Sequence, residues 1–110
     1  MPENWFTYEN GMEGLPMNMI PEPLFPDGAE GHLIGVTAMQ DGEPFPLTDE
    51  ITGAVIFYGK PEQVFKGEKD GNRATIILTP EMFTETGLVH VVVRHGKNSL
   101  AVLEGFLDGN

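Results

Sequence analysis

Hydrophobic residues in the second half of the chain recur at every second position, in short runs separated by turns that contain glycine or proline. This alternation is typical of β-strands that have one face in a core. In the clearest run, residues 88–94, positions 89, 91 and 93 are all valine and define one face. Along the last run, Leu100, Val102 and Phe106 are predicted to share a face, with Glu104 in phase. Further strands are predicted at residues 32–39, 51–58, 63–66 and 74–78.

The segments between these runs carry turn signals. Asp41-Gly42 and Asp70-Gly71-Asn72 predict tight turns, and Gly96-Lys97 predicts the centre of a hairpin. Residues 79–83 predict a single helical turn, with Thr79 as its cap and Pro80 at its first position. Three glycines inside predicted strands indicate bulges or close approach of backbone, namely Gly35, Gly53 and Gly105.

Short strands at this spacing predict an all-β fold, an immunoglobulin-like β-sandwich of about six or seven antiparallel strands. We assign residues 31–110 to this sandwich domain. Residues 1–30 hold five of the nine prolines, and prolines at 16, 21, 23 and 26 rule out regular helix there. We therefore interpret residues 1–30 as an extended, proline-rich N-terminal arm.

The arm is rich in apolar residues, which disordered segments usually lack. We predict that seven of them contact a partner: Trp5, Phe6, Tyr8, Met17, Met19, Ile20 and Phe25. Met17 and Met19 could also belong to a short edge strand. The alternative is that the arm packs on its own domain, with Trp5 and Phe25 plugging one end of the sandwich.

Charge and composition limit the classes of partner. The net charge is −11, and all six Lys and Arg residues lie beyond residue 50. We therefore expect no nucleic acid and no anionic membrane as partner, since both need clustered basic residues. No apolar stretch approaches the ~20 residues that span a bilayer. The N-terminus lacks the features of a signal peptide, so we expect synthesis in a host cytoplasm.

Residues that could carry chemistry are few. The chain has no cysteine, and its single serine, Ser99, stands outside any nucleophile motif. His90 and His95 are five residues apart on one predicted strand, so they should face opposite sides of the sheet. The acidic pairs Asp41/Glu43 and Asp49/Glu50 match no calcium loop. We therefore predict no enzymatic activity, no catalytic residues, no metal site and no cofactor.

Two stretches carry a resemblance to a known family. Asp41-Gly42-Glu43-Pro44-Phe45-Pro46-Leu47-Thr48, followed by the strand at 53–58, resembles the N-terminal domain of phage baseplate upper proteins, where a "DGxPxDLTG" turn leads into a strand. Later features of that family, a strand, a short turn and a final hairpin, resemble residues 71–78, residues 79–87 and the hairpin of Val91 and Leu100. The resemblance covers residues 31–107.

The chain departs from that family in two respects. Leu47-Thr48-Asp49 stands where the family has "LTG", and the long helical or fibre region that usually follows is not found in these 110 residues. The arm, with Asn10-Gly11-Met12 and its prolines, looks more like small virion proteins of phages from gut Firmicutes. The resemblance thus implies a small accessory protein of a phage particle, of the head-decoration or head-fibre type.

The expected function is that of a non-enzymatic structural protein located in the virion. It would dock on the particle exterior, as a capsid decoration or head-fibre anchor, through contacts with phage capsid or tail proteins, as a homo-oligomer or in a lattice. One alternative is a tail or baseplate upper adaptor. A second is a carbohydrate-binding β-sandwich module, which predicts that Trp5 or Tyr58 is exposed on a flat or grooved platform.

Overall fold

The structure is a computed structural model that describes residues 1–108; the end of the predicted sandwich domain, residues 109 and 110, lies outside this part. The described residues form ten strands and one short 3-10 helix, Pro80–Met82. The strands are β1 (Glu3–Glu9), β2 (Met17–Met19), β3 (His32–Gln40), β4 (Glu43–Pro44), β5 (Ile51–Phe57), β6 (Gln63–Lys66), β7 (Glu68–Asp70), β8 (Arg73–Leu78), β9 (Gly87–His95) and β10 (Asn98–Leu107).

Two sheets share these strands. Sheet A has the order β1-β3-β8-β7, with β4 pairing with β3, and sheet B has the order β2-β10-β9-β5-β6. The all-β sandwich predicted from the sequence is confirmed. The described part of the chain has more strands than predicted, and two pairings, β1 with β3 and β2 with β10, are parallel rather than antiparallel.

The parallel pairings follow from the path of the first 40 residues. Parallel neighbours need a long crossover connection, because a tight hairpin reverses the chain. Between β1 and β3 the chain leaves sheet A, contributes β2 to sheet B and returns. This excursion is the crossover, so the segment interpreted as an arm supplies one edge strand to each sheet. Met17–Met19 is the short edge strand considered above.

The core lies between the sheets and follows the predicted alternation. On β9 the valines at 89, 91 and 93 are buried in it, whereas His90 and Arg94 on the other face are partly exposed. The largest fully buried side chains come from both sheets: Ile34, Val36, Ile76 and Leu78 from sheet A, and Ile51, Val55, Val89, Val91, Val93 and Leu103 from sheet B.

The last strand differs from the prediction at one point. The register of β10 against β9 shifts between Ser99 and Ala101. Because a bulge adds one residue to a strand, it reverses the side to which the residues beyond it point. Leu100 therefore packs in the core, whereas Val102 and Phe106, predicted on its face, lie on the outer side of sheet B.

The glycines inside the strands mark the close approach of side chains, whereas the sequence predicted bulges or close approach of backbone. A Cβ atom at Gly35 would lie 2.4 Å from Trp5 Cε3, and one at Gly53 would lie 2.5 Å from Phe65 Cζ. A Cβ atom at Gly105 would lie 2.9 Å from Cδ1 of Ile20. Each glycine therefore makes room for a large side chain of a neighbouring segment.

Candidate interaction surfaces

The N-terminal segment is built into the domain, and this determines which of its apolar residues reach solvent. Phe6 and Tyr8 on β1 point inward and pack against the core, and Ile20 is buried over Gly105. Phe25 packs edge to face on Phe83, with ring centroids 5.7 Å apart, at one end of the sandwich. The partner role predicted for these four residues stays a prediction, while the structure gives them contacts within the chain.

His32 ties this segment to the body of the sandwich. Its side chain is buried at the start of β3, and its Nδ1 lies 2.6 Å from the carbonyl oxygen of Leu24. Its Nε2 lies 2.6 Å from Oδ1 of Asn4 on β1. One buried imidazole thus bridges β1 and the segment between β2 and β3, with one ring nitrogen within hydrogen-bond distance of each.

The outer side of sheet B is an unusually apolar surface. Cross-strand register places Met17 beside Val102, Val102 beside Val92, and Val92 beside Ala54. We call this surface the methionine face and define it by the following outward side chains: Met17, Met19, Ala54, Ile56, Val64, Leu88, Val92, Val102 and Phe106.

Large side chains on the methionine face are open to solvent. Met19 is 75% exposed and Phe106 is 65% exposed. Tyr58, which directly follows β5 and donates its backbone N–H to Leu88, is 85% exposed at the margin of the face. Ala54 and Val92, between these residues, are buried, at 0% and 6% exposure. Several large exposed apolar side chains on one sheet face are typical of interaction sites.

A histidine–carboxylate hydrogen bond lies on the methionine face, and an ion pair lies near it. His90 donates from Nε2 to Oε2 of Glu104 at 2.9 Å, near the centre of the face. Near the face, Arg94 donates to both carboxylate oxygens of Glu62, at 3.2 and 3.1 Å. These hydrogen bonds, with the charge of the guanidinium, hold the pKa of Glu62 below its ordinary value, and they raise the pKa of Arg94.

The outer side of sheet A has a different character, and Trp5 is its central feature. The indole lies over Gly35, is 43% exposed, and donates from Nε1 to Oε1 of Glu3 at 3.0 Å. The guanidinium carbon of Arg73 lies 5.8 Å from the centre of the indole, within cation–π range. Tryptophan and arginine are therefore held together on an open sheet.

Beside the indole is a shallow depression of about 210 Å³. We call it the tryptophan platform and define it by Trp5, Glu68, Lys69, Asp70, Arg73 and Thr75. Lys69 is already engaged, because its Nζ donates to the carbonyl oxygens of Thr48 and Asp49, at 2.9 Å each. The carboxylates of Glu68 and Asp70, the guanidinium of Arg73 and the hydroxyl of Thr75 are the other polar groups beside the indole.

A second depression lies at one end of the sandwich. It measures about 400 Å³, and residues lining it include Leu24, Phe25, Phe83 and Leu107. Phe83 also packs against Phe57, with centroids 6.2 Å apart. The Phe25 side chain thus helps to close this end, as the intramolecular alternative proposed, whereas Trp5 lies on a sheet face and not at an end.

The histidines are separated as the strand spacing predicted. His95 is buried and accepts the backbone N–H of Asp49 at 2.9 Å, whereas His90 lies on the methionine face. Within residues 1–108, no three His, Asp or Glu side chains form a cluster that could hold a metal ion. The same part of the chain contains no helix with the length and apolar character needed to cross a membrane.

Sequence reasoning found some residues of these two surfaces and missed others. Trp5, Met17 and Met19 were predicted as partner contacts, and all three are exposed. Arg73, Glu68 and Asp70 were missed, and Gly35 was interpreted as a bulge or a close approach of backbone rather than as space for an indole. The exposure of Phe106 was missed because the bulge before it has no signal in the sequence.

Comparison with known proteins identifies no family for this chain. No protein-family model matches the sequence, and no curated protein matches it. Among solved structures, the chain is similar to the N-terminal domain of phage TP901-1 ORF48. The TM-score is 0.48 at 10% sequence identity, over 96% of this chain and 91% of that chain.

Proposed function

We propose that this chain is a non-enzymatic structural protein of a phage particle, and that it docks on other virion proteins through its methionine face. The observation that carries the docking proposal is the exposure of Met19, Phe106 and their apolar neighbours on one open sheet. The phage assignment rests on the turn-and-strand motifs at residues 41–58 and 71–87.

The physical argument for docking concerns the contrast between this face and the rest of the chain. The chain is acidic, with a net charge of −11, whereas this face carries mostly apolar side chains. Solvent-facing positions of an antiparallel sheet are usually polar. Covering the face would remove apolar area from water, which stabilises a complex by about 25 cal/mol per Å².

The polar groups on this face suit a protein partner. His90 and Glu104 are hydrogen-bonded to each other, and Arg94 and Glu62 form an ion pair, so docking would leave none of these four side chains without a polar partner. An interface whose apolar centre contains such satisfied pairs loses less to desolvation than one with single charges. Methionine side chains add adaptability, because they can repack against an irregular surface.

The proposal also concerns where on the phage particle the protein is located. We propose the head exterior first, as a decoration or head-fibre anchor, and a tail or baseplate upper adaptor second. Immunogold electron microscopy with an antibody to this domain, on virions from the source strain, separates these positions. Label over the shell supports the first and label at the tail supports the second; virions without label would overturn the phage assignment.

The docking surface is tested with variants in the same virions. Met19→Asp and Phe106→Asp place charges on the methionine face, and Ile77→Asp places one at a 45% exposed position on the outer side of sheet A. We expect the first two to release the protein from particles in a sedimentation assay and the third to leave it bound. Equal retention of all three would show that docking uses another surface.

A further inference from the structure

We propose that the tryptophan platform is a binding site for a single sugar ring, a function separate from docking through the methionine face. The platform is formed by Trp5 on β1, Arg73 and Thr75 on β8, and Glu68 and Asp70 on β7. Its ligand would be a neutral hexose or deoxyhexose unit of a surface polysaccharide.

The first step concerns the position of the indole. Trp5 is the single tryptophan of the chain, and its ring is placed over β3 because position 35 has no side chain. Its Nε1–H donates to Glu3, so the polar atom of the ring is already satisfied. What the ring offers to a ligand is therefore its apolar, electron-rich surface, which suits the slightly positive C–H groups of a pyranose.

The second step concerns the groups around the indole. The carboxylates of Glu68 and Asp70 can accept hydrogen bonds from sugar hydroxyls, and the guanidinium of Arg73 can donate to them. A sugar ring presents C–H groups on one side and hydroxyls at its rim, so it can use both kinds of contact at once. An apolar ligand would leave these charged groups without partners.

The third step concerns size and charge. The volume of about 210 Å³ is below the ~300–1,000 Å³ of sites for drug-sized ligands, and fits one ring better than a long chain. A cationic peptide is the competing ligand, since Glu68 and Asp70 are acidic. Arg73 already occupies the cation position near the indole at 5.8 Å, which favours a neutral ligand.

The test uses Trp5 fluorescence in the full chain. The probes are glucose, galactose, rhamnose and N-acetylglucosamine, with tri-lysine as the cationic probe. We expect a saturable change in emission with at least one sugar, with half-saturation on the order of 1–10 mM. No saturable response to any of the four sugars, or a response to tri-lysine alone, would overturn the proposal.

Variants of the platform test whether the fluorescence change comes from a sugar bound there. Asp70→Asn and Glu68→Gln keep the side-chain shape and remove an acceptor charge, and each should weaken sugar binding at least tenfold while circular dichroism and thermal unfolding stay unchanged. Tyr58→Ser removes a highly exposed aromatic side chain at the margin of the methionine face and should leave binding unchanged. A response that persists in both platform variants, or is lost with Tyr58→Ser, would place the sugar elsewhere and reject the platform.

Discussion

The two outer surfaces of the sandwich are built on sheets of similar size but differ in chemistry. The outer side of sheet A carries Trp5 and Arg73 among carboxylates of β1 and β7, whereas the outer side of sheet B is largely aliphatic with exposed methionines. The inward sides are alike, because both must fill one core. The outer sides are free of that constraint, so their chemistry can differ.

The N-terminal segment contributes to both surfaces. β1 brings Trp5 to the edge of sheet A, and β2 brings Met17 and Met19 to the edge of sheet B. Both strands pair in parallel with their neighbours. The buried His32 side chain contacts the segment that follows β2, at the carbonyl oxygen of Leu24. Changes in this segment should therefore affect both faces, whereas changes on one face should leave the other intact.

The largest expected effect follows from removing the His32 bridge. His32→Leu removes this partner from the carbonyl of Leu24 and the amide of Asn4, which are partly buried, and an unsatisfied buried group costs about 1–3 kcal/mol. We expect a loss of about 3 kcal/mol in the free energy of unfolding, measured by chemical denaturation, with faster amide exchange in β1 and β2.

The matched control is His90→Leu on the methionine face. His90 is partly exposed, so the same substitution should cost well under about 1 kcal/mol. Equal costs for the two variants would contradict the bridging role of His32.

The next effect concerns Gly35 and is confined to the tryptophan platform. Gly35→Ala forces Trp5 to move, because the new Cβ atom would lie 2.4 Å from its ring, and such overpacking costs about 1–3 kcal/mol. In a Trp5→Ala background the clash is absent, and alanine should be neutral or stabilising by up to about 1 kcal/mol. Chemical denaturation of the wild type, the two single variants and the double variant, followed by circular dichroism, gives the coupling energy between positions 5 and 35. A cost of Gly35→Ala that is the same in both backgrounds would refute the contact.

Features that depend on neighbouring residues in the sequence were predicted well, whereas pairings between distant segments were not. Alternation within β9 and the turn at Gly96-Lys97 are local patterns, and both are confirmed. The strand Glu3–Glu9 was interpreted as an arm, since the prolines that follow it suggested irregular chain and its partner, β3, lies some 30 residues further along. The depression beside Trp5 joins residues from three strands, and no local pattern specifies which strands become neighbours.

A smaller effect is expected when the methionine face is made polar. Met19→Lys and Phe106→Lys alter exposed side chains, so each should change the free energy of unfolding by no more than about 0.5 kcal/mol. Both should reduce the self-association that an uncovered apolar face causes at high protein concentration, measured by light scattering. Ile77→Lys is the control on sheet A, and an equal reduction by this variant would remove the distinction between the faces.

The smallest effect concerns the ion pair near the methionine face. Hydrogen bonds from Arg94, and then its charge, hold the folded-state pKa of Glu62 below the ordinary value of 4.5. A carboxyl group with a lowered pKa contributes stability at pH values above its unfolded pKa, and this contribution is lost as the pH falls through the folded pKa. Glu62 is fully exposed, so water and salt screen the pair and the contribution is slight. Thermal unfolding of the wild type and Glu62→Gln should differ slightly at pH 7 in low salt and converge in acid or in 1 M salt.

Glu68→Gln is the control, because Glu68 is an exposed carboxylate of sheet A outside the ion pairs of residues 1–108. The difference in thermal unfolding between the wild type and Glu68→Gln should not show this convergence. A gap between wild type and Glu62→Gln that widens in acid would mean that the carboxylate of Glu62 destabilises the fold.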